Sequence, residues 1–354
     1  MPGLFDPLRI RGVEFRNRAW MSPMCQYSAD DGVPNDWHLV HLGARAQGGV
    51  GLAMVEATAV APEGRISPWD LGLWNEQQQA AFERIVRFVV EQGATPAIQL
   101  AHAGRKASTD RPWQGGKPVS EAAGGWVPVG PSAIAYNEGY PVPHELTVED
   151  IAILVEQFAE AARRAVRAGF QVVELHAAHG YLLHEFLSPL TNRREDDYGG
   201  SPEGRRRVVR DVVSAVRDAI GDQIALFVRI SASEYVEGGW ALEDSVALSA
   251  ELKALGVDLV DVSSGGNLPH QSLHPYPGYQ VPFSRAIRER ADLPTAAVGL
   301  ITEPEHADSI VAGGDADAVL LGRELLRHPY WVQDAARALR KEIDWRPQYL
   351  RAKR

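Results

Sequence analysis

Eight short apolar runs alternate with helical segments along this chain, and that alternation restricts its fold more than any other feature. The runs lie at 19–24, 51–57, 95–100, 171–175, 225–230, 259–262, 295–298 and 318–321. Short, continuously apolar runs of this kind read as parallel strands buried on both faces. Helices are predicted between and after them at 37–47, 77–91, 148–168, 202–220, 243–254, 284–290, 304–312 and 330–341. Gly93, Gly169, Gly256 and Gly314 fall between a helix and the next strand, where C-terminal caps sit. Thr147 with Asp150 and Thr302 with Glu305 have the spacing of capping boxes. Unbroken βα repetition predicts an α/β fold of the closed (β/α)8 (TIM) barrel type, with a doubly wound open sheet as the alternative. The 354 residues suit a single barrel domain spanning 1–354, with about 250 core residues plus insertions. Residues 4–16 alternate apolar and polar around Arg11-Gly12 and read as a hairpin plugging one barrel end. The segment 107–145, rich in Gly, Pro and Trp, is too long for a connection and reads as a lid after strand 3. Residues 342–354 form a C-terminal tail.

Formal net charge is −10, which disfavours nucleic acid, whose phosphates demand a basic face. Cys25 is the only cysteine, so an intramolecular disulfide, a four-cysteine zinc site and an iron–sulfur cluster within one chain are excluded. The N-terminus lacks the basic and apolar regions of a signal peptide, and no apolar run approaches the roughly 20 residues that span a bilayer. A cytoplasmic protein with no membrane partner is the expectation.

In a (β/α)8 barrel, functional residues collect at the C-terminal strand ends. The run His176-Ala177-Ala178-His179-Gly180-Tyr181 follows strand 4. Two histidines three apart face the same way if the turn is helical, and could then hold one substrate oxygen with a tyrosine placed to deliver a proton. A helix-capping pair or an incomplete metal site are the bland readings. Arg229 stands among neighbours that look buried on both faces and needs an anionic partner, either a functional anion or an Asp or Glu inside the barrel. Gly299 and Gly322-Arg323 follow strands 7 and 8, where barrels commonly build a phosphate site. Together these parts suggest a phosphorylated planar cofactor across the barrel mouth. Gln99 would offer its amide to a flavin pyrimidine edge, Arg229 would favour the reduced ring, and Cys25 would tune it. A buried small hydrophobe is the commoner fate of a lone cysteine.

With these residues assembled, the chain resembles the Old Yellow Enzyme family of FMN-dependent ene-reductases, in its bacterial thermophilic-like subclass of the NADPH dehydrogenase and xenobiotic reductase type. The resemblance rests on Ser22-Pro23-Met24-Cys25-Gln26-Tyr27, Trp37-His38, Gln99 through Lys106, the histidine–tyrosine run, Phe186-Leu187-Ser188-Pro189, Asp197-Tyr198-Gly199-Gly200, Phe227-Val228-Arg229 and Gly322-Arg323-Glu324. It implies FMN contacts at Ser22, Pro23, Met24, Cys25, Ala57, Gln99, Arg229, Gly299, Gly322 and Arg323. Substrate contacts are implied at Tyr27, His176 and His179, with Tyr181 as proton donor. It further implies NADPH as reductant (NADH possible) and activated alkenes such as enones, maleimides and nitroalkenes as acceptors. A homodimer or homotetramer is implied, in which Arg351 reaches the neighbouring subunit's site; a frayed basic tail is the other reading of Arg351. The segment between Lys106 and Pro131 is longer than the subclass pattern, which bears on substrate scope. Three rivals are a metal-dependent barrel hydrolase using His176 and His179, with His102 as a possible third ligand, an RNA-modifying flavin barrel, and a non-catalytic assembly protein on a barrel scaffold. The lack of a ligand cluster on strands 1, 5, 7 and 8 weighs against the first, and the net charge against the second.

Overall fold

The computed structural model describes residues 2–353. Eight parallel strands close on themselves: β1 (Ala19–Met21), β2 (Leu52–Ala59), β3 (Thr95–Ala101), β4 (Val172–Ala177), β5 (Ala225–Ser231), β6 (Leu259–Ser263), β7 (Thr295–Ala297) and β8 (Ala318–Leu321). Each pairs with the next, and β8 pairs with β1 through Leu320 opposite Trp20. Closure removes the open-sheet alternative.

Alternation along each strand sorts its side chains into two cores. Val172, Phe227, Leu259, Met54, Trp20 and Leu320 fill the barrel, while Val173, Leu175, Val228 and Val260 pack outward with the helices. The predicted hairpin forms from Leu8–Ile10 and Val13–Phe15, antiparallel, with Arg11 at φ 51 in its turn. Its Phe15 ring lies 4.7 Å from Trp20 and 6.3 Å from Phe227, so aromatic side chains seal the N-terminal end.

Helices Pro202–Ile220 and Pro304–Ala312 have their predicted bounds, and the four capping glycines all have positive φ. Thr147 caps Val148–Arg167, accepting from the Asp150 amide while the Asp150 carboxylate accepts from the Thr147 amide. The matching expectation at Thr302 fails. That helix begins at Pro304 behind Glu303, and no side chain caps it, because proline, which needs no amide partner, takes the first helical position. Strand β1 stops at Met21, three residues early, where Pro23 cannot continue the ladder. Strand β4 runs two residues further than predicted and takes in His176. The short helix Leu182–Leu187 was not anticipated.

The segment 107–145 is mostly irregular, with short 3-10 turns and a two-residue strand pair, Val129–Gly130 with His144–Glu145. A Thr109–Pro118 bridge presents Trp113 edge-on to Tyr27, ring centroids 5.8 Å apart. Among the described residues, no helix is long and apolar enough to cross a membrane.

Candidate active site

Above the apolar floor, the same inward strand positions turn polar: Gln99 on β3, Glu174 and His176 on β4, Arg229 on β5, Asp261 and Ser263 on β6. His176 is a strand residue. His179 lies beyond the strand at φ 59, so the turn is left-handed, not helical as the spacing suggested. Three contacts hold that uncommon conformation. The His179 amide donates to Ser231 Oγ at 2.9 Å, the Gly180 amide donates to His184 Nδ1 at 2.9 Å, and the half-buried Lys106 ammonium donates to the carbonyls of His179 (2.8 Å) and Gly266 (2.9 Å). The two imidazoles still meet, with centroids 5.1 Å apart and planes at 84°. The Tyr181 ring stands edge-on to His176 at 4.8 Å.

Hydrogen bonding orders the imidazole protons. The Ala178 amide donates to His176 Nδ1 at 3.2 Å, which leaves the His176 proton on Nε2. His176 Nε2 lies 3.4 Å from His179 Nδ1, and His179 Nε2 lies 2.7 Å from Ser263 Oγ. Ser263 in turn reaches Gln280 Oε1 at 3.3 Å. Burial, reinforced by Arg229 and Lys106, pushes both imidazoles well below the usual histidine range, so they are neutral N–H donors. Burial also pushes Lys106 down to about 8 and lifts the Tyr181 hydroxyl well above the usual phenol value, with Cys25 and Asp70 adding to the latter.

The residues singled out for a cofactor come together around this cluster. One cavity of about 250 Å³ is lined by Arg229, Gly299, Gly322 and Arg323, together with Ser263 and Gln280. Ser22 and Met24 flank Gly322. Gly299, at φ 135, holds its backbone where a Cβ would stand 3.1 Å from the Tyr279 ring, so the loop fits closely against its neighbours there. Cys25 lies against the Ala57 amide and the Tyr27 hydroxyl. Burial first, then Asp70 and Glu56, push its thiol up, leaving it a hydrogen-bond donor instead of a thiolate. A glycine-lined pocket with a basic side chain at a helix start suits a phosphate, and the Gln99–Arg229–Cys25 rim suits a flat polar ring, so the residues present fit FMN. The Gln99 amide spends one N–H on Glu174 Oε1 at 2.7 Å, so only part of it faces the mouth. Pro23 sits in the same β1 loop. Arg351 is exposed and is not brought to this cluster; its tail is anchored elsewhere, through Arg346 on the Glu91 carbonyl and Tyr349 on the Tyr330 ring. Among the described residues, no three His, Cys, Asp or Glu side chains are placed to hold a metal ion.

A family model described as the NADH:flavin oxidoreductase / NADH oxidase family matches residues 3–342. The chain belongs to this family. It is an FMN-dependent oxidoreductase of the Old Yellow Enzyme type. It is 50% identical over 350 residues to an NADPH dehydrogenase of Geobacillus thermodenitrificans, covering 98% of each chain. An NADPH dehydrogenase of Listeria monocytogenes is 46% identical over 354 residues, covering 99% of each. The structure of an Old Yellow Enzyme homologue from Zymomonas mobilis superposes with a TM-score of 0.79 at 27% identity, covering 100% of this chain and 99% of that one.

Several residues of this flavin oxidoreductase site escaped the sequence reading. Ser263 directly follows the sixth apolar run and Lys106 ends the Gln99–Lys106 stretch, and neither was given a role. Glu174 and Asp261 were hidden inside apolar runs. Asp70 lies far from any strand end. Its Oδ2 accepts from the Ile66 and Ser67 amides at 2.7 and 3.2 Å, while Oδ1 is buried without a partner. Burial lifts this carboxyl from 3.8 to about 7. The folded state therefore binds the proton more tightly than the unfolded chain, and stability falls as pH rises through that interval, then levels off above it. An Asp70→Asn variant keeps an acceptor for both amides and has no charge to bury. Its melting temperature relative to wild type is expected to rise between about pH 4 and pH 7 and then hold constant; a pH-independent difference would refute this assignment.

Proposed function

We propose that this flavin oxidoreductase is an ene-reductase that draws electrons from NADPH and reduces alkenes conjugated to a carbonyl or nitro group. The neutral imidazole pair carries the reading: two N–H donors beside a protonated phenol suit an electron-withdrawing oxygen better than a metal or a nucleophile. Bound FMN would supply the hydride chemistry that couples NADPH oxidation to reduction at the alkene β-carbon. His176 and His179 donate to the activating oxygen and stabilise the negative charge that develops there. Tyr181 supplies the proton for the α-carbon, and Tyr27, with Trp113 at its edge, walls the substrate. Ser22, Pro23, Met24, Cys25, Ala57, Gln99 and Arg229 surround the ring, and Gly299, Gly322 and Arg323 take the phosphate. The fold is read as a single FMN-binding domain over 1–354. Arg351, free of its own site, is assigned to the neighbouring site of a homodimer or homotetramer, to be checked by sedimentation.

Anaerobic NADPH is expected to bleach the flavin absorbance, and cyclohexenone or maleimide to restore it without oxygen. Bleaching with no reoxidation by any activated alkene would defeat the ene-reductase reading while leaving the family assignment intact. Replacing Arg323 with Ala removes a charge-assisted phosphate contact and is expected to weaken FMN binding about tenfold, read by fluorescence titration of the apoprotein; unchanged affinity would move the phosphate elsewhere.

A further inference from the structure

One layer of the barrel interior holds more charge than the ene-reductase reading uses. In strand register, Gln99 on β3 stands opposite Glu174 on β4, and Arg229 on β5 stands opposite Asp261 on β6. Gln99 Nε2 donates to Glu174 Oε1 at 2.7 Å, and Arg229 Nε lies 3.0 Å from Asp261 Oδ2. Both carboxylates are fully buried, and Glu174 Oε2 and both Asp261 oxygens lack a hydrogen-bond partner. The rest of the layer offers no compensation. Trp20, Met54, Ala296 and Leu320 face inward from β1, β2, β7 and β8, and the floor is Val172, Phe227 and Leu259. His176, above Glu174, is neutral. Two carboxylates thus share one guanidinium in an apolar surround, where a surplus charge costs far more than a retained proton.

We propose that Glu174 and Asp261 hold one proton between them, on Glu174, and that ionised Asp261 balances Arg229 and so limits the positive charge presented to FMN. The division follows from contact. Asp261 touches the guanidinium, whereas Glu174 meets only a neutral amide. Burial lifts Glu174 well above the usual carboxylate range and Asp261 to about 6, in the same order. Asp261 is then a positioning residue that acts through Arg229, and Glu174, as a neutral acid, fixes the Gln99 amide.

The proposal rests on FMN lying at this barrel mouth, and its test separates the two. In the holoenzyme, Glu174→Gln mimics the protonated acid and is expected to leave the FMN midpoint potential and the FMN Kd within about twofold equivalents of wild type. Asp261→Asn leaves Arg229 unbalanced and is expected to raise the potential by at least a tenfold change in the oxidised-to-reduced ratio, about 30 mV for two electrons. Equal shifts in both variants, or a shift in neither, would overturn the proposal. An infrared spectrum of the wild-type protein supplies a second measurement, needing neither FMN nor the Asn variant. A protonated carboxyl C=O band that disappears in Glu174→Gln supports the proposal, and its absence from wild type overturns it. Failure of wild type to bind FMN at all would instead remove the cofactor reading and leave the infrared result standing.

Discussion

A Tyr181→Phe holoenzyme is expected to take up reducing equivalents from NADPH at close to the wild-type rate and to pass them to an enone about 10²- to 10⁴-fold more slowly, the range over which a positioned general acid contributes. The substitution isolates the hydroxyl. The edge-on contact with His176 and the Lys106 ammonium, 5.0 Å from the Tyr181 ring centroid, involve the ring, which phenylalanine keeps. Burial, then Cys25, Asp70 and Tyr136, disfavour the phenolate, and Arg229 opposes them only in part. Tyr181 therefore holds its proton across the whole working range, and no tyrosine ionisation should appear in the alkene half-reaction below about pH 10. Stopped-flow measurement of each half-reaction checks both points. Equal losses in the two would make Tyr181 a structural residue.

The architecture was legible because buried parallel strands and amphipathic helices carry different apolar periods, and eight alternations leave few closed solutions. Inside the strands the same signal fails. In β4 the inward Val172 and the outward Val173 are both apolar, since both faces are buried. Hydropathy alone could not show that Glu174 and Asp261 point toward Arg229. A usable signal was present: single acidic residues in Val172–Ala177 and Leu259–Ser263, the strands on either side of the one with a buried arginine. The histidine pair was found for a partly mistaken reason. Its spacing suggested a helical turn, whereas the rings meet across a strand end and a left-handed residue held by Ser231, His184 and Lys106. Those partners lie up to 73 residues from the motif, a separation no local pattern reports. The orientation of Gln99 was illegible for the same reason, since Glu174, 75 residues on, sets it; Asp70 is held by the nearby Ile66 and Ser67 amides, and what its local sequence did not show was its burial.

His179→Ala is expected to cost 10²- to 10³-fold in alkene reduction, the usual loss when one donor to a developing oxyanion is removed, with a smaller effect on the NADPH half-reaction. The ordering of protons around the pair explains why His179 is the sensitive member. His176 has its Nδ1 engaged by a backbone amide, so its Nε2–H is a fixed donor. His179 can adopt either tautomer. If Ser263 donates to Gln280 Oε1, His179 Nε2–H donates to Ser263 Oγ and its Nδ1 accepts from His176. If the Ser263 hydroxyl turns toward His179 Nε2, the proton moves to Nδ1, and two N–H groups 3.4 Å apart then face one acceptor. A substrate oxygen satisfies both donors, so binding selects the second arrangement. Because burial holds both imidazoles well below the usual histidine range, the neutral pair persists from about pH 6 to 8, and the alkene half-reaction should be flat across that interval. A rate that climbs as pH falls through about 6.5 would show that an imidazolium is the active form and that hydrogen bonding by neutral rings does not carry the reaction.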